Sequence, residues 1–173
     1  NTIDAEGNVK VEDEINKYII YSDQATYKKN EEIINTLGNS KALDQDNRVI
    51  TADKFKYNKN LNTIDAEGDA QIENLVEDYI VNSEKLTYFT NDEKIITFGN
   101  TRAKINSKYN IKSEDVTLLL GQEKLMSKKK SIIKDSNSQI YYLDEFIFFT
   151  KKKIFIRFWK IKIRDSKYIF PLH

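Results

Sequence analysis

The stretch Asn1-Thr2-Ile3-Asp4-Ala5-Glu6-Gly7 is repeated letter for letter as Asn62-Thr63-Ile64-Asp65-Ala66-Glu67-Gly68. An identity of seven residues at a separation of 61 positions indicates an array of internal repeats. The spacing of single glycines indicates a repeat of half that length, because Gly7, Gly38, Gly68 and Gly99 lie 31, 30 and 31 residues apart. Repeats of this length are typical of stacked supersecondary units that share one continuous core.

A second pattern runs in step with the glycines, and its clearest copy is Ile50-Thr51-Ala52-Asp53-Lys54-Phe55-Lys56-Tyr57. The acid of the successive copies is Asp23, Asp53, Glu84, Glu114 and Asp144. Inside each copy the apolar residues change parity at the acid, which predicts a β-bulge or a corner there. We expect the acid to cap backbone N–H groups at this corner. A stacked row of metal-binding carboxylates is the alternative.

The segments around the glycines alternate strictly between apolar and polar residues, as in Ile3, Ala5, Gly7, Val9 and Val11. A period of two predicts half-buried strands, and the abundance of Ile, Val, Thr and Tyr favours strand over helix. Each repeat is therefore two strands joined by polar turns. The predicted fold class is all-β: a stacked antiparallel β-jellyroll, an open and flattened roll of about five two-strand repeats of roughly 30 residues.

The repeat pattern predicts a domain over residues 1–148, followed by a different segment over residues 149–173. That segment holds eight basic residues and one acid among aromatic and branched side chains. We expect one or two last strands with a frayed tail, and a membrane-surface element is the alternative. Because the chain begins inside a repeat and without Met, we expect it to be a piece of a longer protein.

The composition excludes several classes of function. With 28 basic and 27 acidic residues the chain has no strong net charge, so nucleic acid is not an expected partner. The absence of cysteine removes disulfides and thiolate chemistry, and the single histidine, His173, cannot build a triad or a histidine metal site. No glycine-rich phosphate loop is present, and the carboxylates recur with the repeat, as solvated faces do. We predict no enzymatic activity and no cofactor.

The segments Ala5-Glu6-Gly7-Asn8-Val9-Lys10-Val11 and Ile50 to Tyr57 resemble the motifs of the OstA-like family of lipopolysaccharide-transport proteins, and the resemblance covers about residues 1–148. It implies a β-jellyroll, open along one side, whose apolar interior shields the acyl chains of lipopolysaccharide. Such rolls line up edge to edge as a bridge across the periplasm. Within the family, the chain most resembles the N-terminal domain of the outer-membrane assembly protein, and the soluble bridge protein comes second.

The resemblance implies lipopolysaccharide and other OstA-like proteins as partners, with an outer-membrane lipoprotein as a further candidate. It also implies a periplasmic location, attached to the outer membrane as part of a longer protein. An apolar lining can hold alkyl chains at about 0.8 kcal/mol per buried CH₂ group. A structural or adhesive β-solenoid with a packed core and no lipid ligand is the alternative.

The parity of the strands selects the residues that we expect to line the interior and bind lipid. They are Ile3, Ala5, Val9, Val11, Ile34, Ile50, Phe55, Tyr57, Ile64, Ala66, Ile72, Leu86, Tyr88, Ile95, Ile105, Val116 and Leu118. The first four also form the predicted partner edge, because a first strand with a matching apolar face is suited to strand addition by another roll.

Overall fold

The computed structural model describes residues 1–150, 154–158, 162–164 and 169–170. Within these ranges eighteen antiparallel strands form one sheet, which confirms the all-β fold class. No helix long and apolar enough to cross a membrane occurs among the described residues. The strands are β1 Thr2–Asp13, β2 Tyr18–Lys28, β3 Ile33–Leu37, β4 Ser40–Leu43, β5 Arg48–Ala52, β6 Lys54–Asn58, β7 Thr63–Asn74, β8 Tyr79–Phe89, β9 Lys94–Ile105, β10 Tyr109–Glu114, β11 Thr117–Leu119, β12 Lys124–Ser127, β13 Ser131–Lys134, β14 Ile140–Leu143, β15 Glu145–Phe149, β16 Ile154–Phe158, β17 Lys162–Arg164 and β18 Ile169–Phe170.

Up to residue 150 the chain crosses the sheet ten times. We call each crossing an arm, and each arm pairs with the next. Five run unbroken as single long strands, and five are split in the middle into two short strands. The two ends of an arm pair with different strands, as when β2 pairs through residues 24–28 with β3 and through residues 19–21 with β4. The arms therefore build two half-sheets that meet at a corner. Half-sheet A contains β3, β6, β11, β12 and β15, half-sheet B contains β4, β5, β10, β13 and β14, and the long strands run through both.

The corners explain the periodic glycines. Gly68 has a φ of 82°, and a Cβ added to it would lie 2.2 Å from Oδ2 of Asp53 on the neighbouring arm. Both the left-handed backbone and the close approach therefore require glycine. In the pairing of β7 with β8, Gly68 and Asp69 together lie opposite the single residue Glu84, so the extra residue of the bulge belongs to the glycine arm.

Main-chain hydrogen bonds run through the stacked corners. The Asp53 N–H donates to the Gly68 carbonyl (2.9 Å), and the Gly38 N–H donates to the Asp53 carbonyl (2.8 Å). On the acid arm Ala52 and Phe55 are buried while Asp53 and Lys54 are both exposed, as the change of parity predicts. The corner is thus continuous with the sheet on both sides.

The role expected of the acids is found at one corner, one residue away from the predicted position. Oδ1 of Asp115, not the neighbouring Glu114, accepts a hydrogen bond from the Gly99 N–H (2.9 Å). At an earlier corner Oδ2 of Asp23 accepts from the side-chain amide of Asn39 (2.9 Å). Within the described ranges no group of three or more histidine or carboxylate side chains could hold a metal ion.

The core lies between the two half-sheets and runs from Tyr18 to Phe148. Inward-facing residues of the glycine arms are fully covered, and Ile64 and Ile72 are both 0% exposed. Full burial of such a side chain contributes about 1.5–3 kcal/mol relative to exposure. The sheet therefore adopts the inward and outward alternation that the sequence predicts.

The array continues where the glycine pattern ends. Lys128-Lys129-Lys130 takes the corner position between β12 and β13, and inside it the hydroxyls of Ser113 and Ser131 are hydrogen-bonded at 2.8 Å. Beyond residue 149, β16 pairs with β15 and β17 pairs with β14. The expected frayed tail concerns residues that lie outside the described ranges. The domain boundary at 148/149 stays a prediction.

Candidate functional site

The predicted site residues form one inward-facing surface with two different environments. Thirteen of them belong to the packed core, with exposures of 6% or less: Ile34, Ile50, Phe55, Tyr57, Ile64, Ala66, Ile72, Leu86, Tyr88, Ile95, Ile105, Val116 and Leu118. The remaining four lie on β1, where Ile3 is 50% exposed, Ala5 is exposed and Val9 and Val11 are half-buried. The lining is therefore closed along most of the roll and uncovered at its N-terminal end.

Strand β1 leaves that end open in two ways. Among the described residues it pairs only with β2, through residues 2–6 and 9–13. Its other edge presents unpaired N–H and C=O groups, which can template another strand. Because the same strand carries the uncovered Ile3, apolar surface and unpaired backbone occur together at this position.

The side of the roll opposite the corners is closed by polar contacts between the half-sheets, and we call it the seam. The Tyr57 hydroxyl of half-sheet A donates to Oδ2 of Asp13 on half-sheet B (2.9 Å). The Asn16 side chain bonds both groups, and Lys59 Nζ lies 3.5 Å from the same carboxylate. Burial raises the pKa of Asp13, but the hydrogen bonds from Asn16 and Tyr57 and the charge of Lys59 outweigh burial and hold the pKa below its usual value.

Arg48 crosses the seam one repeat further on. Its guanidinium lies 3.2 Å from Asp44, 3.1 Å from Asp46 and 3.3 Å from the Tyr88 hydroxyl of half-sheet A. Burial raises the pKa of Tyr88, with the proximity of Asp44 adding to the effect. The Arg48 side chain is only 9% exposed, so these partners replace water around a nearly buried cation.

A third contact closes the seam near its far end, where the Asn106 side-chain amide donates to the Thr150 carbonyl (2.8 Å). Between the first two crossings the ring of Tyr18 lies 6.2 Å from those of Tyr57 and Tyr88. The pair Asp13 and Tyr57 and the pair Asn106 and Thr150 are each 44 residues apart. The seam thus repeats with the array.

Sequence reasoning did not find the seam, although a periodic signal for it exists. Asp13, Asp44, Asn74 and Asp135 lie at equivalent turns, and the Oδ1 atom of each accepts two backbone N–H groups of its turn. This is the Asx-turn geometry expected of such residues. The steps of 31, 30 and 61 residues match the glycine period, and the buried Ile105 occupies the missing position.

Comparison with known proteins gives a distant likeness among solved structures. No family model matches the chain, and no curated protein matches it. Among solved structures the chain is similar to LptH from Pseudomonas aeruginosa, described as the LptA homologous periplasmic component of the lipopolysaccharide transport device. The identity is 10%, the match covers 86% of this chain and 94% of that chain, and the TM-score is 0.47. A likeness of this distance does not assign the chain to a family.

Proposed function

We propose that this chain is a non-enzymatic lipid-transport module that shields the acyl chains of lipopolysaccharide, or of a similar amphiphile, along its inward face. The observation that carries the proposal is the continuity of this face. The buried lining of Phe55 and Ile64 extends into β1, where the same parity leaves Ile3 uncovered. An apolar strip that runs from a packed core to an open end is suited to receive alkyl chains.

The open end is also the proposed docking site for a second OstA-like roll. Backbone pairing along β1 would supply affinity, and alignment of the two interiors would give one apolar track. We extend the proposal to a periplasmic location, with the chain attached to the outer membrane as part of a longer protein. Lipopolysaccharide and other rolls of the same type are the proposed partners, with an outer-membrane lipoprotein as a further candidate.

Photo-crosslinking tests the lipid-binding face. Probes at the inward Ile3 and Val11 are compared with probes at the outward Asp4 and Lys10 on the same strand, with lipopolysaccharide as ligand. A further pair compares the inward Ile64 with its outward neighbour Asp65, which is held by the Thr87 hydroxyl (2.6 Å). We expect labelling from inward probes only. Equal labelling from both faces contradicts the assignment of the lining.

Proline substitution tests the docking edge. Asn8 is unsuitable because its φ is 50°, which proline cannot adopt. We therefore compare Val9→Pro with Lys10→Pro, since adjacent residues of a strand direct their N–H groups to opposite edges. One of the two variants should keep its fold, measured by circular dichroism, and lose binding to a purified OstA-like roll. Undiminished binding by both folded variants contradicts docking at β1.

A structural β-solenoid is the second candidate, and the packed interior favours it. Ile64, Leu86 and Ile105 are each 0% exposed, so the two half-sheets are already in contact where lipid would lie. Lipid reaches those positions only if the half-sheets separate. A bis-maleimide crosslink across the seam, between Asn16→Cys and Lys59→Cys, distinguishes the solenoid from the transport module. The chain has no other cysteine that could react. A solenoid predicts no labelling with or without the crosslink. The transport module predicts labelling at Ile3 in both states and labelling at the buried Ile64 only without the crosslink.

A further inference from the structure

The charge of the chain changes along its sequence. Residues 1–100 contain 20 acidic and 11 basic residues, whereas residues 101–173 contain 7 acidic and 17 basic residues. The near-neutral total therefore conceals two parts of opposite sign. The basic part reaches the described surface on four neighbouring strands, β9, β10, β13 and β14.

The outward positions of these strands form a surface that we call the basic face. Its members are exposed side chains at Arg102, Lys104, Lys112, Lys130, Ile132, Lys134 and Tyr142. The register places Arg102 directly opposite Lys112, Lys112 opposite Ile132 and Ile132 opposite Tyr142, and the strands are neighbours throughout. Glu114 is the acid that lies beside Arg102 and Lys112.

The cations of the basic face differ from those of the acidic part in their partners. Six of the ten lysines in residues 1–100 form ion pairs, as where Lys54 and Lys85 flank Glu67 at 2.9 and 2.7 Å. Within the described residues Arg102, Lys104, Lys112, Lys130 and Lys134 take part in no ion pair. Like charges directly opposite each other on a sheet are destabilising. The pairing of Arg102 with Lys112 therefore has a cost that an external anion would remove.

We propose that the basic face binds the anionic headgroups of a lipid bilayer surface. Four cations on neighbouring strands of half-sheet B, with Lys130 at the adjoining corner, complement a plane of phosphates, and each cation near such a surface adds to the attraction. The exposed Ile132 (41%) and Tyr142 (37%) lie among the cations, and an aromatic or aliphatic side chain in this setting suits the boundary between headgroups and acyl chains. This property is independent of lipid binding inside the roll, because the basic face lies on the outside.

Vesicle flotation tests the proposal with vesicles of phosphatidylglycerol and phosphatidylcholine in equal amounts, and with vesicles of phosphatidylcholine alone. We compare the variant Arg102→Gln, Lys112→Gln, Lys134→Gln with the control Lys17→Gln, Lys41→Gln, Lys56→Gln. Both lose three exposed cations. We expect binding to anionic vesicles only, a loss of roughly a hundredfold in the first variant and a much smaller loss in the control. Raising the ionic strength should weaken binding.

Two further measurements keep the outcome decisive. The first variant should unfold at the same temperature as the wild type or a higher one, because it removes like-charge opposition. Ile132→Ser with Tyr142→Ser should weaken vesicle binding several-fold while leaving binding of soluble polyphosphate unchanged. Equal losses in the two triple variants, equal binding to neutral vesicles, or binding of polyphosphate without binding of vesicles would each overturn the proposal. If the basic face does not bind vesicles, the proposed lipid binding by the inward face is unaffected, because that binding is tested separately with probes at Ile3 and Val11.

Discussion

The corner glycines allow the cost of a close approach to be separated from the cost of a left-handed backbone. Gly68 and Gly99 have similar φ values of 82° and 72°, but their surroundings differ. A Cβ at Gly68 would lie 2.2 Å from Oδ2, 2.7 Å from Cγ and 2.8 Å from Cβ of Asp53, whereas nothing lies within 4 Å of a Cβ at Gly99. Gly99→Ala should therefore cost only the left-handed conformation, about 1–2 kcal/mol. Gly68→Ala adds overpacking against a neighbouring arm, about 1–3 kcal/mol more.

Urea denaturation of Gly68→Ala, Gly99→Ala, Asp53→Ala and the double variant Asp53→Ala, Gly68→Ala measures these terms. In the Asp53→Ala background, the part of the extra cost of Gly68→Ala that comes from the Asp53 carboxylate should disappear, which corresponds to a coupling free energy of about 0.5–3 kcal/mol. The Cβ of Asp53 remains in that background at 2.8 Å, so the rest of the overlap persists. Equal costs for the two single glycine variants, or an additive double variant, would refute the claim that the corner requires space as well as a positive φ.

Three further predictions concern charged groups. Arg48→Met should lower the free energy of unfolding by about 3–5 kcal/mol in urea denaturation, because Asp44 stays buried without its cation. Adding Asp44→Asn should recover part of the loss, because it removes the buried charge and keeps the Oδ1 acceptor of the turn. Because the pKa of Asp13 is lowered by folding, its contribution to stability is present above its ordinary value of 3.8 and is lost as the pH falls through the folded value. Thermal unfolding of Asp13→Asn should lack this part of the acid dependence, and an unchanged pH profile would contradict it. Hydrogen bonds and charges from Lys85 and Lys54 lower the pKa of Glu67 to about 2. The pKa of Glu67 measured by NMR titration should therefore rise with added salt. A pKa that does not change with salt would show that these exposed ion pairs are not the cause.

The fold could be predicted from the sequence because its determinants are local and periodic. Alternation in Ile64, Ala66 and Ile72 assigned the inward face, and the change of parity at Asp53 placed the corner. The seam could not be predicted in this way. Asp13 and Tyr57 are 44 residues apart on different half-sheets, and their contact depends on the angle at which those half-sheets meet. No pattern within one strand contains that angle.

The distribution of charge over the surface is a second property that the overall composition did not predict. A net charge of +1 argues against a strong field around the whole molecule, but opposite signs on different parts of a roll do not cancel at a surface. With a Debye length of about 8–10 Å at physiological ionic strength, a ligand at Lys112 senses only nearby groups. Arg102 and Lys134 lie on the adjacent strands, about 4.8 Å apart per strand step. A stacked array orders its sequence along one axis, so a charge change along the chain becomes a charge change in space.

The same ordering bears on how an alkyl chain would enter the roll. Lateral entry would break the contacts of Asp13 with Tyr57 and of Arg48 with Tyr88, and would leave buried charged and hydroxyl groups without partners. Each group left in this way costs about 1–3 kcal/mol, which equals the gain from burying only a few CH₂ groups. Entry along the axis at β1 breaks none of these bonds, because Ile3 is already uncovered. For the alkyl chain to move further along the axis, the half-sheets need to separate only directly ahead of it. The cost of breaking the seam contacts therefore favours entry at the end of the roll over entry through its side.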